Sequence, residues 1–350
     1  GLYFLPGVVM ALPAGAAGRR FGDKRVLMLG LALMVAGGAL TSVADSATML
    51  AIGRGSSGIG AVLLNVLMSK MVTDWFAGRE IVLAMAIFVN SFPIGIGLAL
   101  LSLGWLAESA GWALALGVSA AFALAALLLV GTAYRKHDND GRPAGSIAAG
   151  GRLSRAELAL VCIAGAIWGI YNGAFAVMSG FVPTFLAAAG YPVARAGFVI
   201  AASTWIVVAS IQLGGLAAQH WKRAWPLMAL GIGGWSACLA GLASGFATPE
   251  AMLIGAGLLM GLPVGLIMSL PAQVLRPENR ALGMGVFYLW LYVGHGGVPP
   301  LAGWVQDATG SQAAPLYLAS ALALSILALY AAFRAGIAAR ARSAAAAVPR

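Results

Sequence analysis

The residues of this chain whose types suit chemistry are polar side chains set within long apolar segments. Arg54 lies in the apolar segment 48–72 and is the one clear cation inside such a segment. Burying it at mid-depth in a bilayer costs at least about 2.5–3.5 kcal/mol, so its presence needs a reason. We expect Arg54 to face a cavity and to attract a small organic or inorganic anion. Snorkelling is the alternative, since only about six residues, or roughly 9 Å of helix, separate it from the outer end of its segment.

His295 is the only histidine inside an apolar segment. A neutral imidazole titrates near physiological pH and can relay a proton, so we assign it a proton-coupling role, with a structural hydrogen bond as the alternative. Five further polar residues are candidates for binding a solute or, alternatively, for hydrogen bonds between helices. They are Asn65, Tyr171, Asn172, Gln212 and Tyr292.

The apolar segments contain no carboxylate, because all eleven Asp and Glu residues lie in connections or at segment ends. A site for cationic compounds needs an acid to offset the charge of its ligand, so small anions or neutral polar solutes fit better. The sequence also shows no converging acids, bases and nucleophiles, no metal-ligand set and no glycine-rich phosphate loop, which argues against an enzyme or an ATP-driven pump. We therefore expect no catalytic residues, no metal and no cofactor.

Long apolar stretches must position these residues. With 61% apolar and 9% charged residues and a mean hydropathy of +0.91, the chain has too little polar surface to cover a soluble protein. Eleven stretches are long enough to cross a bilayer as helices, which predicts an all-α integral membrane protein. They are 1–16, 26–44, 48–72, 81–106, 112–134, 157–187, 195–217, 225–246, 250–274, 281–305 and 313–334.

The distribution of basic residues orients the chain. Of 21 Lys and Arg residues, 19 lie in alternate connections or at the C-terminus, and the positive-inside rule makes these positions cytoplasmic. We predict that the C-terminus lies inside and residue 1 at the outer face, in a bacterial inner (plasma) membrane. This distribution and contact with membrane lipid account for the net charge of +10. We therefore expect no nucleic-acid partner.

The sequence repeats itself at an offset of 199 residues: segment 84–88 (Ala-Met-Ala-Ile-Phe) matches segment 283–287 (Gly-Met-Gly-Val-Phe). Two related halves packed about a midline are typical of membrane transporters. The register requires six helices in each half, so we expect the N-terminal bundle to lack its first helix here. The predicted units are an N-terminal bundle (1–134), a cytoplasmic linker (135–156), a six-helix C-terminal bundle (157–334) and a cytoplasmic tail (335–350).

Two loop sequences resemble a known family. Segment 15–24 is similar to the Gly-x-Leu-Ala-Asp-Arg-x-Gly-Arg-Arg loop of the major facilitator superfamily, and segment 214–223 is a second copy. Arg19 and Ala218 stand where the family has its acid, which helps to latch the halves at the cytoplasmic face. Either Asp23 is a shifted substitute or the latch is weaker, and a basic turn that only fixes topology is the alternative. The predicted gating residues are Gly15, Arg20, Gly22, Asp23, Lys24, Pro93, Gly214, Lys222 and Arg223.

Two motifs inside the spans extend the resemblance. Arg54, Gly58 and Gly60 match the family's Arg-x-x-x-Gly-x-Gly signature. The helix around Pro93 partly resembles the Gly-Pro-x-x-Gly-Gly motif of the antiporter branches, but Phe92 replaces the glycine before the proline. This departure weakens the case for proton-coupled export, although a proline-kinked helix suits a moving gate.

Segments 73–80 and 275–288 are similar to the cyanate/nitroimidazole porter-like branch of the superfamily. The resemblance implies two pseudo-symmetric six-helix bundles, with eleven spans present in this chain, and secondary transport of a small solute by alternating access, as a symporter or antiporter. We expect a monomer with a small-molecule substrate and a proton as the coupling ion. A proton-coupled exporter of lipophilic or drug-like compounds and a transporter-like membrane sensor or receptor are the alternatives.

Overall fold

Helices make up all the regular structure in the computed structural model, which describes residues 5–134, 153–221 and 224–346. A short 3₁₀ turn (Pro277–Asn279) precedes the eleventh of twelve α-helices found there. The α-helices are α1 (Leu5–Phe21), α2 (Asp23–Ser42), α3 (Ala47–Phe76), α4 (Ile81–Ala110), α5 (Trp112–Ala133), α6 (Arg155–Ala188), α7 (Val193–Trp221), α8 (Ala224–Ser244), α9 (Pro249–Gly261), α10 (Val264–Val274), α11 (Arg280–Thr309) and α12 (Ala314–Ala346).

The prediction of eleven helical spans is confirmed. Ten stretches of the described chain are long and apolar enough to cross a membrane, with α9 and α10 together forming one of them, and α1 adds a helix of 17 residues. The last span differs from the prediction, because α12 continues to Ala346 instead of ending near residue 334. The guanidinium of Arg340 on this extension donates to the carbonyl of Val274 at 2.9 Å, at the end of α10.

Side-chain caps and one glycine fix where several helices begin. Ser46 accepts a hydrogen bond from the Met49 amide (3.3 Å), which satisfies an N–H that has no partner within α3. Ser154 and Glu157 form a reciprocal capping box at the start of α6. Gly22 joins α1 to α2 with a φ of 90°, which residues with a Cβ rarely adopt. Because these signals are local, the sequence itself determines these helix ends.

The predicted span 250–274 consists of two helices. The chain leaves the α-helix between α9 and α10 at Pro263, which has no N–H to donate to the preceding turn. Next to the break, the hydroxyl of Tyr171 donates to the carbonyl of Met260 at 3.0 Å. Broken backbone at membrane depth is tolerated where protein covers it, and here α6 supplies the hydrogen-bond partner.

Two of the helix pairs along which the halves meet are related to each other by the repeat. α1 packs against α11 and α4 against α7, and a shift of 199 residues carries α1 onto α7 and α4 onto α11. Small residues allow this close approach. A Cβ added at Gly285 would lie 2.6 Å from the carbonyl oxygen of Ala11, and one added at Gly215 would lie 2.8 Å from the Cβ of Ala86. The packing therefore has the symmetry that the sequence repeat predicts.

The backbones of the two halves approach closely at the end predicted to be cytoplasmic. A Cβ added there at Gly15 would collide with the carbonyl oxygen of Ala281, and one added at Gly265 would lie 2.7 Å from the carbonyl oxygen of Val82. Further towards the other end the halves meet through side chains, since a Cβ added at Gly7 of α1 would collide with the ring of Tyr292 and one added at Gly97 of α4 would lie 2.9 Å from Trp205. In this structure the two halves are therefore closed at the predicted cytoplasmic end, beneath a central cavity.

Candidate functional site

The central cavity lies between the two halves, and most of its wall is apolar or aromatic. Residues of α3, α4, α6, α7, α9, α10 and α11 line it. Asn65 and Val264, which the repeat relates, both belong to the wall, and so do Val89 and Tyr288, another related pair. The cavity therefore lies across the pseudo-symmetry of the two halves. Its aromatic side chains are Phe88, Phe92, Trp168, Tyr171, Phe175 and Tyr288.

Polar groups on the wall of the central cavity are few. The lining residues that carry them are Asn65, Ser91, Asn172 and His295, the tyrosines with their hydroxyls, and Trp168 with its indole N–H. No Asp, Glu, Lys or Arg is among the described residues that line the cavity. Such a wall offers a solute hydrogen bonds but no fixed counter-charge.

Four of the seven residues predicted to contact the solute or the proton line the central cavity: Asn65, Tyr171, Asn172 and His295. The side-chain amide of Asn65 donates to the hydroxyl of Tyr292 at 3.3 Å and so links α3 of one half to α11 of the other. The amide of Asn172 donates to the carbonyl of Trp168 at 2.8 Å, within α6. Their roles as solute ligands remain predictions.

Two other residues predicted to bind the solute, Gln212 and Arg54, do not line the central cavity. Gln212 donates to the carbonyl of Ala86 at 3.1 Å and connects α7 to α4. Arg54 borders a second cavity, formed by α2, α3, α4 and α5 within the N-terminal half. It precedes Asn65 by eleven residues on α3, which corresponds to about 16 Å along the helix. A solute in the central cavity therefore does not contact Arg54 in this structure.

One residue of the second cavity has a repeat counterpart that packs against a helix. Ala99 borders the second cavity, and the repeat relates it to Val298. Gly173 of α6 packs so closely against Val298 that an added Cβ would lie 2.5 Å from its side chain. The second cavity shares no lining residue with the central cavity and is therefore separate from it.

Trp168 belongs to an aromatic stack on the α6 side of the central cavity. Its ring lies nearly parallel to those of Tyr171 and Phe287, with ring centroids 5.5 Å and 6.2 Å away. Tyr171 also contacts Trp235 of α8, at 5.1 Å between centroids. Trp168 is 5% exposed, and its indole nitrogen has no hydrogen-bond partner among the described residues. The sequence alone does not mark this residue, because an aromatic side chain in an apolar span suits a packing contact equally well.

Four charged side chains, here called the latch cluster, pair at the predicted cytoplasmic end: Asp23, Lys70, Asp74 and Arg280. The ammonium of Lys70 pairs with Asp23 and lies 2.8 Å from Asp74, and the guanidinium of Arg280 lies 2.9 Å from Asp74. Arg280 begins α11, whereas the other three residues belong to the N-terminal half. The cluster therefore connects the two halves with buried ion pairs. The spacing of Lys70 and Asp74 is visible in the sequence, but Arg280 lies 206 residues beyond Asp74.

A second polar cluster supports the segment that carries Arg280. The carboxylate of Glu157 accepts hydrogen bonds from the backbone N–H (3.1 Å) and the side chain (3.2 Å) of Arg276 and from the amide of Asn279 (3.1 Å). Hydrogen bonding and the negative charge of Glu157 raise the pKa of Arg276, so this guanidinium stays protonated. These contacts tie the start of α6 to the connection between α10 and α11.

The residues predicted to act in gating occupy different positions. Gly15 lies at the closed α1–α11 contact, Asp23 belongs to the latch cluster and Pro93 lines the central cavity. Lys24 donates to the carbonyls of Gly131 and Tyr134, both at 3.0 Å, and so holds the end of α5.

The other predicted gating residues make local contacts. Gly22 forms the turn between α1 and α2, and the guanidinium of Arg20 lies 5.4 Å from the ring centroid of Phe21. Gly214 approaches the backbone of Leu262 within the C-terminal half. Lys222 and Arg223 lie outside the described residues. A gating role for this set remains a prediction.

The sequence matches a known family over most of its length. The family model described as Major Facilitator Superfamily matches residues 1–294. An uncharacterised MFS-type transporter of Mycobacterium tuberculosis (strain H37Rv) is 28% identical over 131 residues, which cover 37% of this chain and 19% of that protein. An uncharacterised transporter of Buchnera aphidicola is 25% identical over 130 residues, covering 37% of this chain and 33% of that protein. These matches span only about a fifth and a third of the two relatives.

Several solved structures have a similar fold. The human organic anion transporter MFSD10 has a TM-score of 0.76 and 16% identity, covering 93% of this chain and 81% of that chain. The proton:xylose symporter XylE has a TM-score of 0.77 and 14% identity, covering 93% and 83%. The Escherichia coli fucose:proton symporter FucP has a TM-score of 0.74 and 15% identity, covering 95% and 89%. At these identities the likeness concerns the fold alone.

Proposed function

Because the chain belongs to the Major Facilitator Superfamily, we propose that it is a secondary transporter that carries a largely apolar, uncharged solute through the central cavity by alternating access. The uncharged, largely aromatic wall of that cavity is the observation that carries this proposal. Apolar surface gains roughly 25 cal/mol per Å² when it leaves water for such a wall. A fixed charge loses its hydration there and finds no counter-charge in return.

A small anion is the competing class of solute. Its support from the sequence is Arg54, whereas in this structure Arg54 borders the second cavity, away from the central one. An anion in the central cavity would rely on neutral donors such as the amides of Asn65 and Asn172. The fold is shared with proteins named as an organic anion transporter and as sugar symporters, and at such low identity it favours neither class.

His295 is our candidate for coupling transport to protons. It lies on the wall of the central cavity, and histidine is the side chain whose ordinary pKa lies closest to neutral pH. Replacing it (His295→Gln) is expected to abolish the response of uptake to an imposed pH gradient, while exchange of solute at equal pH on both sides continues. Loss of both activities would instead indicate a structural role for His295.

The latch cluster is our candidate for the gate at the cytoplasmic end. Opening the halves at that end requires Arg280 to separate from Asp74, since this ion pair joins α11 to α3. Asp23, paired with Lys70, serves in this proposal as the shifted substitute for the acid that the family loop carries. The orientation with a cytoplasmic C-terminus, the bacterial inner membrane, the monomeric state and the cyanate/nitroimidazole porter-like branch belong to the same proposal.

Binding of two matched probes tests the class of solute. Naphthalene-2-methanol and naphthalene-2-carboxylate share one skeleton and differ in charge. We expect calorimetry on the full chain in lipid nanodiscs, corrected with empty nanodiscs, to detect binding of the alcohol and at least tenfold weaker binding of the carboxylate. The Arg54→Gln variant is expected to change the affinity for the alcohol by less than twofold. Preferential binding of the carboxylate, lost in Arg54→Gln, would establish the anion hypothesis instead.

Counterflow in proteoliposomes separates a carrier from a membrane sensor. Vesicles preloaded with unlabelled naphthalene-2-methanol should take up the labelled compound faster than protein-free vesicles of the same lipid, since only a carrier exchanges solute across the membrane. Binding without any acceleration of exchange would indicate a sensor or receptor.

A further inference from the structure

We propose that the indole N–H of Trp168 is the hydrogen-bond donor that recognises an acceptor oxygen on the transported solute. This inference rests on the proposed function, because it assigns a specificity-determining contact within the same central cavity. It narrows the solute from a largely apolar, uncharged molecule to one that also carries a carbonyl or ether oxygen beside its apolar part.

Burial leaves this N–H without a partner in the described structure. Trp168 is 5% exposed, and its nitrogen has neither a protein acceptor nor open solvent around it. A buried donor that lacks an acceptor destabilises the folded protein, because the N–H loses its bond to water and gains none in return. Tryptophan N–H groups usually find a partner when they are buried, so an orphaned one on a cavity wall indicates that the partner arrives with the ligand.

The aromatic stack determines which part of the indole is available to a solute. Tyr171 and Phe287 lie parallel to the indole plane, with centroids at 5.5 Å and 6.2 Å. Because stacking engages the plane of the ring, the edge of the indole, with its buried N–H, is the part of Trp168 left for a hydrogen bond. The stack also restricts rotation of the side chain, so the donor is held ready before the solute binds.

Three other donor groups on the same wall each already make one hydrogen bond within the protein, although each Asn amide keeps a second N–H. The amide of Asn172 donates to the carbonyl of Trp168, the amide of Asn65 donates to Tyr292, and the hydroxyl of Tyr171 donates to Met260. These bonds hold the wall in place. The indole N–H of Trp168 therefore offers a hydrogen bond that breaks no existing contact.

Trp235 provides a matched control within the chain. Its indole nitrogen also lacks a hydrogen-bond partner, its side chain is fully buried and it contacts the ring of Tyr171. It does not, however, belong to the described lining of the central cavity. Removing its N–H perturbs the same aromatic group without removing a donor from the cavity.

Two probes that differ in one oxygen test the proposal. They are 6-acetyl-2-naphthalenemethanol and 6-ethyl-2-naphthalenemethanol, measured by calorimetry on the full chain in nanodiscs. The wild type should bind the acetyl compound more tightly. The Trp168→Phe variant should bind it about threefold to tenfold more weakly than the wild type does, which is the effect of one neutral hydrogen bond. Affinity for the ethyl compound should change less than twofold, and Trp235→Phe should leave both affinities unchanged.

Replacing Trp168 by β-(3-benzothienyl)alanine keeps the size and stacking of the indole and removes only its N–H. It should give the same loss, specific to the acetyl compound, even if Trp168→Phe fails to fold. Equal weakening of both probes, or the same specific loss in Trp235→Phe, would overturn the proposal. Equal wild-type affinity for both probes would overturn it while leaving the proposed function intact. Failure to bind either alcohol, with binding of naphthalene-2-carboxylate, would refute the proposed function itself.

Discussion

α3 and the α9–α10 pair occupy equivalent positions in the repeat, yet they differ in both charge and continuity. α3 is one unbroken helix that contributes Lys70 and Asp74 to the latch cluster. The repeat counterparts of these two residues are Ser269 and Gln273, which are uncharged, and Pro263 divides the segment into two helices. The ion pairs of the latch cluster thus come mainly from one half, and the broken backbone beside the cavity comes from the other.

The two segments nevertheless line the same central cavity, through Asn65 on α3 and Val264 on α10. The architecture that the halves share therefore determines where the cavity lies. The positions that depart from the repeat give its two sides different side chains. Charge is kept at the closed end, where ion pairs can form and break. The wall of the central cavity has no fixed charge among its described residues. This comparison predicts that equivalent substitutions in the two halves have unequal effects.

The largest difference is expected between Asp74→Ala and Gln273→Ala. Removing Asp74 leaves Lys70 and Arg280 without their shared partner in a buried site, which typically lowers the free energy of unfolding by about 3–5 kcal/mol. Gln273 is exposed, so its replacement should cost less than about 0.5 kcal/mol. Unfolding in mixed micelles measures both values. Equal losses of unfolding free energy in the two variants would mean that the ion pairs of Asp74 do not stabilise the protein.

A smaller but more diagnostic effect is expected from Gly15→Val and Gly214→Val, which alter counterparts in the repeat. An added side chain at Gly15 collides with Ala281 across the halves, whereas one at Gly214 collides with Leu262 within the C-terminal half. Each overpacked contact costs about 1–3 kcal/mol. Gly15→Val should therefore separate the halves at the closed end, and Gly214→Val should lower stability without separating them.

Labelling of a buried cysteine distinguishes these outcomes. Ala14 on α1 is fully buried, so Ala14→Cys in a background without Cys162 and Cys238 reports on opening at this end. Maleimide labelling should accelerate with Gly15→Val and remain slow with Gly214→Val. Equal acceleration in both would show that the closed end responds to general loosening and not to the α1–α11 contact.

The smallest effect is expected at the helix break. Tyr171→Phe removes the hydrogen bond to the Met260 carbonyl, and such bonds contribute on average about 0.6 kcal/mol in membrane proteins. The variant should lose about this amount of unfolding free energy, while Tyr317→Phe, at an exposed tyrosine, should lose none. A loss of several kcal/mol would mean that the hydroxyl also prevents collapse of the break, which would give the α9–α10 pair a larger structural role than we infer.

Much of the architecture follows from local signals in the sequence. Apolar length predicts the spans, and Ser154 with Glu157 marks the start of α6. The repeat predicts two related halves, and in the fold the pair α1–α11 and the pair α4–α7 are related by it. The break at Pro263 was also visible as a proline inside an apolar run, but the run was long enough to be interpreted as one span.

The candidate site is harder to predict, because a transmembrane helix is apolar on the side that faces lipid and on the side that faces protein. The periodic contrast that marks the buried face of a soluble helix is therefore weak. Arg54 and Asn65 illustrate the consequence: both are polar residues of α3, but only Asn65 lines the central cavity. The two residues differ in their depth along the helix and in the helices that surround them. Neither property can be read from the residues next to them in the sequence.

The sequence by itself determined that this is a membrane protein of two related halves, because hydrophobic length and an internal repeat are properties of the chain. The tertiary structure decided which distant side chains meet. It joined Arg280 to Asp74 across the halves, placed Arg54 beside a different cavity and left the indole N–H of Trp168 without a hydrogen-bond partner among the residues that the structure describes. Such contacts depend on how helices far apart in sequence pack together, and in a chain this uniformly apolar that packing is set by shape and close approach of small residues, with little guidance from polarity.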